Sequence, residues 1–110
     1  MSKQGTLQPI DAPLIENALK LLSPIWTSAI LLELASGEKR TKKILQALPG
    51  LTAKTFTERV RLLERMGLVR RQIFRESPPR VEYSLTKEGQ SAVNLLGSVK
   101  QATGKLNFEP

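Results

Sequence analysis

Apolar positions recur along the chain at two different periods, and the change of period divides it into elements. Leu14, Ile15, Ala18, Leu19 and Leu22 follow helical spacing behind Asp11, a candidate N-cap, and Pro13, which suits a first helical turn. Ser23-Pro24 reads as the stop of that helix and the start of the next, with serine as N-cap and proline at the first helical position. Trp26, Ile30, Leu31 and Leu34 form the second apolar face, Trp26 as a core residue, and Gly37 follows as a C-cap. Thr41 is a candidate cap for a short helix marked by Ile44, Leu45 and Leu48, which Pro49-Gly50 ends. Thr52 caps a longer helix that runs to about Met66 and is closed by Gly67.

After Gly67 the period falls towards two. Residues 68–74 mix apolar and polar positions as a strand does, and Val81-Glu82-Tyr83-Ser84-Leu85 alternates cleanly. Between them Ser77-Pro78-Pro79 forms a loop, because proline cannot occupy a central strand. This predicts a β-hairpin over about 68–74 and 80–85 with a basic tip. Thr86 caps a last helix with Ala92, Leu95, Leu96 and Val99 on one face, ending near Gly104. Two helices over 41–48 and 52–66, joined by about three residues including a glycine, have the outline of a helix-turn-helix. The predicted fold class is mainly α with a small hairpin wing: a winged helix-turn-helix over 13–103. An arm over 1–12 and a tail over 104–110 flank it, and the terminal helices, about 13–22 and 87–103, are its dimerisation elements.

Composition narrows the chemistry. The 110 residues contain no cysteine and no histidine, which removes disulfides, thiol redox sensing, imidazole catalysis and the usual Cys/His zinc sites. The glycines are scattered at element ends and form no phosphate loop. Glu58/Glu64 and Glu82/Glu88 imply no pocket. No catalytic residue, metal or cofactor is expected, and the chain reads as a non-enzyme. Ala29 to Ala35, interrupted by Glu33, is too short to span a bilayer, so a cytoplasmic or nucleoid location is expected, with no membrane partner.

Charge sharpens the picture most. Seventeen basic residues face ten acidic ones, a net +7. Residues 39–80 hold twelve of the basic residues and three of the acidic ones, a net +9, while all other positions net −2. A localised excess of this kind marks a polyanion-binding face. On the wheel of the 52–66 helix, Phe56, Val60 and Leu63 fall on the core side. Lys54, Glu58, Arg61 and Arg65 fall opposite, with Thr57 beside them. Arg61 and Arg65 are like charges four residues apart, a small cost to the helix, and Glu58 is positioned to offset it against Arg61. A solvated, self-paired face is the plain alternative.

Read as a recognition helix in a major groove, the segment offers Thr52, Lys54, Thr55, Thr57, Glu58, Arg61 and Arg65 to bases and phosphates. Arg40, Lys42 and Lys43 would clamp phosphates without reading sequence. Arg75 and Arg80 flank a proline-stiffened wing that suits a neighbouring minor groove or backbone. The competing reading is a winged-helix module that meets RNA or an acidic protein instead.

The stretches 48–52 (Leu-Pro-Gly-Leu-Thr), 56–69 (Phe-Thr-Glu-Arg-Val-Arg-Leu-Leu-Glu-Arg-Met-Gly-Leu-Val) and 78–89 (Pro-Pro-Arg-Val-Glu-Tyr-Ser-Leu-Thr-Lys-Glu-Gly) resemble the HxlR-type winged-helix transcriptional regulators, as does the position of Trp26. The resemblance extends over about 14–100. It implies a homodimer on duplex DNA with a pseudo-palindromic operator. It carries Lys54, Thr57 and Arg61 over as recognition-helix positions and Pro78-Pro79-Arg80 as the wing. Arg59 also matches, and its place at the flank of the core face suits a phosphate contact or a structural ion pair. Leu14, Ile15, Ala18, Leu19, Leu95, Leu96 and Val99 are the expected dimer contacts. Two departures stand out. Many members carry an N-terminal cysteine sensor, where this chain has Ala12-Pro13, so its effector is not thiol-reactive and is otherwise unnamed by the sequence. The family's Gly-rich, Lys-containing approach to the tryptophan is replaced by Ser23-Pro24-Ile25.

Overall fold

A computed structural model describes residues 11–104. Five helices and three strands follow in the order α1 (Asp11–Leu22), α2 (Thr27–Glu33), β1 (Lys39–Arg40), α3 (Thr41–Ala47), α4 (Ala53–Arg65), β2 (Val69–Phe74), β3 (Arg80–Leu85) and α5 (Lys87–Thr103), with a 3-10 turn over Leu34–Ser36. The core gathers Ile30, Leu31 and Leu34 from α2 and its turn, Ile44 from α3, and Phe56, Val60 and Leu63 from α4. Val69 and Tyr83 close it from the sheet. The wheel of the 52–66 helix therefore has the face assigned to it.

The caps of the two longest helices, α4 and α5, are the expected ones. Thr52 Oγ1 accepts the Thr55 amide at 3.1 Å, opening α4 in the manner that favours threonine at an N-cap. Thr86 does more: its hydroxyl accepts from the Gly89 amide at 2.9 Å and donates to the Gly67 carbonyl at 2.6 Å. It thus ties the start of α5 to the end of α4. The hairpin is β2 against β3, antiparallel, with Arg71 opposite Tyr83 and Phe74 opposite Arg80.

Three local expectations need correction. Ser23 does not cap α2; its hydroxyl donates to the Lys20 carbonyl at 3.2 Å and finishes α1. The helix α2 starts three residues after Pro24, and Trp26 stands before it in a left-handed conformation, φ 80°. Trp26 is half-buried beside the core rather than within a helix face. Thr41 lies inside α3, with Arg40 at the cap position and no side-chain cap bond. The residues before it, Lys39 and Arg40, form a third strand against β3, giving the sheet order β1-β3-β2. A two-residue strand is too short for periodicity to reveal.

The expected arm and tail lie largely outside the described residues. Asp11, expected as a cap, is already helical. From Ala12 to Lys20 every side chain of α1 is exposed, and only Leu22 packs against the core. The helix projects from the body with its apolar stripe uncovered.

Candidate nucleic-acid interface

Helix α4 is held by its core face, so the opposite face is fixed in direction. Lys54, Glu58, Arg61 and Arg65 are exposed there, and Thr55 and Thr57 are half-buried beside them. The Thr57 hydroxyl donates to the Ala53 carbonyl at 2.9 Å, leaving its oxygen free to accept. Glu58 does not pair with Arg61. Its carboxylate sits 3.7 Å from Arg59, so Arg61 and Arg65 have no carboxylate partner among the described residues. Two like charges four residues apart, without compensation, carry a small helix cost that an external polyanion would relieve.

Arg59 is committed within the fold. Its Nε donates to the Ile25 carbonyl at 2.9 Å, and its side chain is about one-quarter exposed, at 24%. Of the phosphate contact or structural ion pair that the sequence allowed, the fold has the ion pair, to Glu58 at 3.7 Å, and adds a bond to a main-chain carbonyl 34 residues away.

The wing is organised by the face of the sheet away from α4. Arg80 lies 4.0 Å above the Phe74 ring centroid and pairs with Glu76 and Glu82, each at 3.2 Å. Its Nε approaches Glu82 at ion-pair distance but off the hydrogen-bond direction. Glu82 reaches Arg40 of β1 at 3.9 Å. Arg80 is thus one-quarter exposed and largely neutralised, whereas Arg75, at the opposite shoulder of the loop, is exposed and unpaired among the described residues. The two wing arginines named together by the sequence are physically different.

Arg40, Lys42 and Lys43 come together at the start of α3. With Lys39 they line an open groove of about 970 Å³ that also touches Glu33, Glu38 and Glu82. A second groove of about 410 Å³ separates Arg40, Thr41 and Lys42 from the wing tip at Ser77–Arg80. Two of the expected clamp residues, Arg40 and Lys42, therefore border the same cleft as the wing, while Lys43 lines only the larger groove. Sequence reasoning passed over Arg70, which is exposed on β2 without a carboxylate partner among the described residues. Alternation along the predicted strand puts it on the face opposite Arg71, which the fold pairs with Glu64 at 3.4 Å, a distinction the basic count did not draw. No cluster of acidic or imidazole groups that would hold a metal occurs among the described residues.

Of the expected dimer residues, Leu14 (69% exposed), Leu19 (56%) and Leu95 (53%) are the most open, and Ile15, Ala18 and Val99 are exposed as well. Leu96 turns inward against the chain's own core. Ile25 and Leu32 are exposed apolar side chains that the sequence reading did not include.

Helix-turn-helix, hairpin wing and third strand define a winged-helix protein. The HxlR-like helix-turn-helix profile matches residues 21–108, and the chain belongs to that family of DNA-binding transcriptional regulators. It is similar to an uncharacterised HTH-type transcriptional regulator of Synechocystis, 43% identical over 90 residues, covering 76% of this chain and 67% of the relative. It is also similar to the uncharacterised HTH-type regulator YvaP of Bacillus subtilis, 37% identical over 89 residues and covering 81% and 82%. The reduced form of the transcriptional regulator YodB of B. subtilis superposes with a TM-score of 0.76 at 35% identity, covering 89% of this chain and 95% of that one. No single helix among the described residues is long and apolar enough to cross a membrane.

Proposed function

We propose that the chain is a homodimeric, sequence-specific transcriptional regulator. In this reading α4 enters the major groove of each half of a pseudo-palindromic operator, and the wing lies at the flanking backbone or minor groove. The observation that carries it is the uncompensated Arg61–Arg65 face, directed outward by the buried Phe56, Val60 and Leu63 on the same helix. Lys54, Glu58 and Thr57 lie at its N-terminal end, where side chains of a recognition helix reach base edges. Arg40 and Lys42, across the cleft from the wing, and Lys43 beside them on α3 supply sequence-independent contacts.

The dimer is supported by the uncovered stripe on α1 together with Leu95 and Val99 of α5. Exposed apolar side chains aligned along a helix suit an interaction site, and a two-fold operator calls for a two-fold protein. The reading assigns the protein to the cytoplasm, at the nucleoid.

Fluorescence-anisotropy titration against the protein's own upstream DNA tests the proposal. A specific site should bind far more tightly than random duplex, with affinity falling by about 10³–10⁵ between 50 and 200 mM salt if 6–10 phosphates are contacted. Equal affinity for random duplex, or preference for structured RNA, would reject it. Sedimentation at micromolar concentration tests the assembly separately, and a purely monomeric species would remove the dimer.

A further inference from the structure

The helix that carries the proposed dimer stripe has almost no packing of its own. From Ala12 to Lys20 the side chains of α1 are exposed, so its direction depends on Leu22 and on the joint at Ser23–Trp26. That joint is held by hydrogen bonds to main-chain carbonyls. Ser23 closes α1 on the Lys20 carbonyl, and the Thr27 amide donates to the Pro24 carbonyl at 3.1 Å. The Ile25 side chain is 70% exposed and anchors nothing. Trp26 then takes the left-handed conformation that non-glycine residues seldom adopt, which requires the surroundings to hold it. Two contacts do so, and both come from the helix-turn-helix. A Cβ placed on Gly50, in the turn between α3 and α4, would meet the Trp26 ring at 3.5 Å, so the ring lies against that turn. Arg59 of α4 donates its Nε to the Ile25 carbonyl at 2.9 Å.

We propose that Arg59 is a positioning residue that sets the angle between α1 and the recognition helix α4, and through it the separation of the two recognition helices in the dimer. The physical basis is that one charged donor on a rigid helix holds the Ile25 carbonyl, in the joint that connects α1 to the body. Hydrogen bonds from ionised donors are short and strong and have a defined direction. α4 cannot follow a movement of the joint, because Phe56, Val60 and Leu63 bury its other side. A change of angle at Ile25 is therefore expressed in α1 and its stripe. In a symmetric dimer the change would shift the spacing at which two half-sites can be occupied together. That last step rests on the DNA reading above; the angle itself does not.

The absence of cysteine makes the test direct. Asn17→Cys on α1 and Ala53→Cys on α4 carry spin labels with no background, and dilution with unlabelled chain isolates the distance within one protomer. The otherwise unsubstituted chain should give one narrow distance distribution. Arg59→Lys keeps the charge and the Glu58 partner but puts a methylene where Nε stands. It should broaden or displace the distribution while circular dichroism shows the helices intact, and Arg59→Ala should do the same. An unchanged distribution in folded Arg59→Lys overturns the proposal, whatever happens to Arg59→Ala.

The second readout uses an operator selected from random duplexes by the unsubstituted chain. Arg59→Lys should leave half-site affinity unchanged and reduce affinity for the two-half-site duplex by at least about tenfold, because simultaneous engagement is lost when geometry is not maintained. Equal losses on both duplexes would show that Arg59 contacts DNA, and would overturn its positioning role. If the unsubstituted chain selects no duplex at all, the DNA reading fails, and the distance measurement alone decides the joint.

Discussion

The rings of Phe56 and Tyr83 meet edge to face, with centroids 5.3 Å apart and planes inclined at 83°. Phe56 stands in the first turns of α4 and Tyr83 in the middle of β3, so this pair joins the proposed reading helix to the wing. Aromatic pairs in this arrangement contribute about 0.5–1.5 kcal/mol beyond their buried area. A double-mutant cycle with Phe56→Leu and Tyr83→Leu, followed by urea unfolding, should return a coupling energy in that range. A coupling within experimental error of zero would show that the two rings contribute through burial alone.

The same tyrosine gives the fold an alkaline limit. Burial pushes the Tyr83 phenol above its usual range, and the Glu64 carboxylate adds to the shift; Arg71, the Thr41 hydroxyl and Arg61 oppose it. The folded state therefore holds this proton more tightly than the unfolded chain does. Its contribution is fully present below pH ~10, the unperturbed value, and is lost as pH rises through the higher folded value. Lysines titrate in the same window, so the comparison must be with Tyr83→Phe. Above pH ~10, unfolding free energy should fall more steeply for the native chain than for the variant. Parallel curves would show that the phenol is not perturbed.

Much of this architecture was legible in the sequence because its signals are local. The Thr52 and Thr86 caps act within three residues, and the Phe56, Val60, Leu63 spacing requires only a helix. What escaped depends on partners distant along the chain or on competition between neighbours. Ser23-Pro24 has the composition of a helix start, yet the preceding helix uses the serine. The strand at Lys39–Arg40 exists only because β3 is beside it. Arg59 and Arg80 read as two more positive charges in a basic segment. Their commitments, to Ile25 and to Phe74, Glu76 and Glu82, appear only when the elements are packed. The net charge thus pointed to the proposed interface but overstated how many of its cations lack an internal partner.

Among the described glycines, Gly89 has the least room for a side chain. It is buried in the first turn of α5, and a Cβ there would fall onto the Leu68 carbonyl oxygen, a backbone atom that cannot swing away. Leu68 is itself fixed, since its carbonyl accepts the Thr86 amide at 3.0 Å. Replacing glycine by alanine within a helix is otherwise favourable by about 1 kcal/mol. Here Gly89→Ala should instead destabilise by about 1–3 kcal/mol or more, the range for forced overpacking. Denaturant midpoints for Gly89→Ala and for the exposed control Gly97→Ala should move in opposite directions. A stabilising effect at both would mean that α5 shifts freely on the sheet.

Arg75 and Arg80 should separate in function as they do in structure. Arg80→Ala removes a cation from the Phe74 face, leaves Glu76 without its partner and leaves Glu82 only the longer contact to Arg40, so stability should fall by about 1–3 kcal/mol. Arg75→Ala touches no ion pair among the described residues and should leave stability within about 0.5 kcal/mol. On duplex DNA the order reverses. Arg75→Ala should lower the salt slope of binding by about one phosphate contact, and Arg80→Ala should leave it nearly unchanged. The same slope change for both variants would place the Arg80 guanidinium on DNA despite its internal partners.

Arg61 and Lys43 test the division between reading and clamping. Arg61 is exposed on α4, one turn before Arg65, and has no carboxylate to hold it among the described residues. Its planar fork matches the paired acceptors of a guanine edge, a geometry that alanine cannot imitate. Lys43 is a single point charge on the short helix α3, bordering the groove it shares with Lys39 and Arg40. Arg61→Ala should therefore cost about 1–3 kcal/mol on the preferred sequence and much less on a duplex altered at the base pair it reads. Lys43→Ala should weaken binding to preferred and random duplexes by the same factor and reduce the salt slope by about one. Neither side chain contributes to the core, so Lys43→Ala should leave thermal unfolding unaltered and Arg61→Ala should change it by no more than the few tenths of a kcal/mol of its repulsion with Arg65. If both substitutions changed sequence preference alike, the start of α3 would be reading bases as well. The groove beside it would then hold a base edge and not a phosphate.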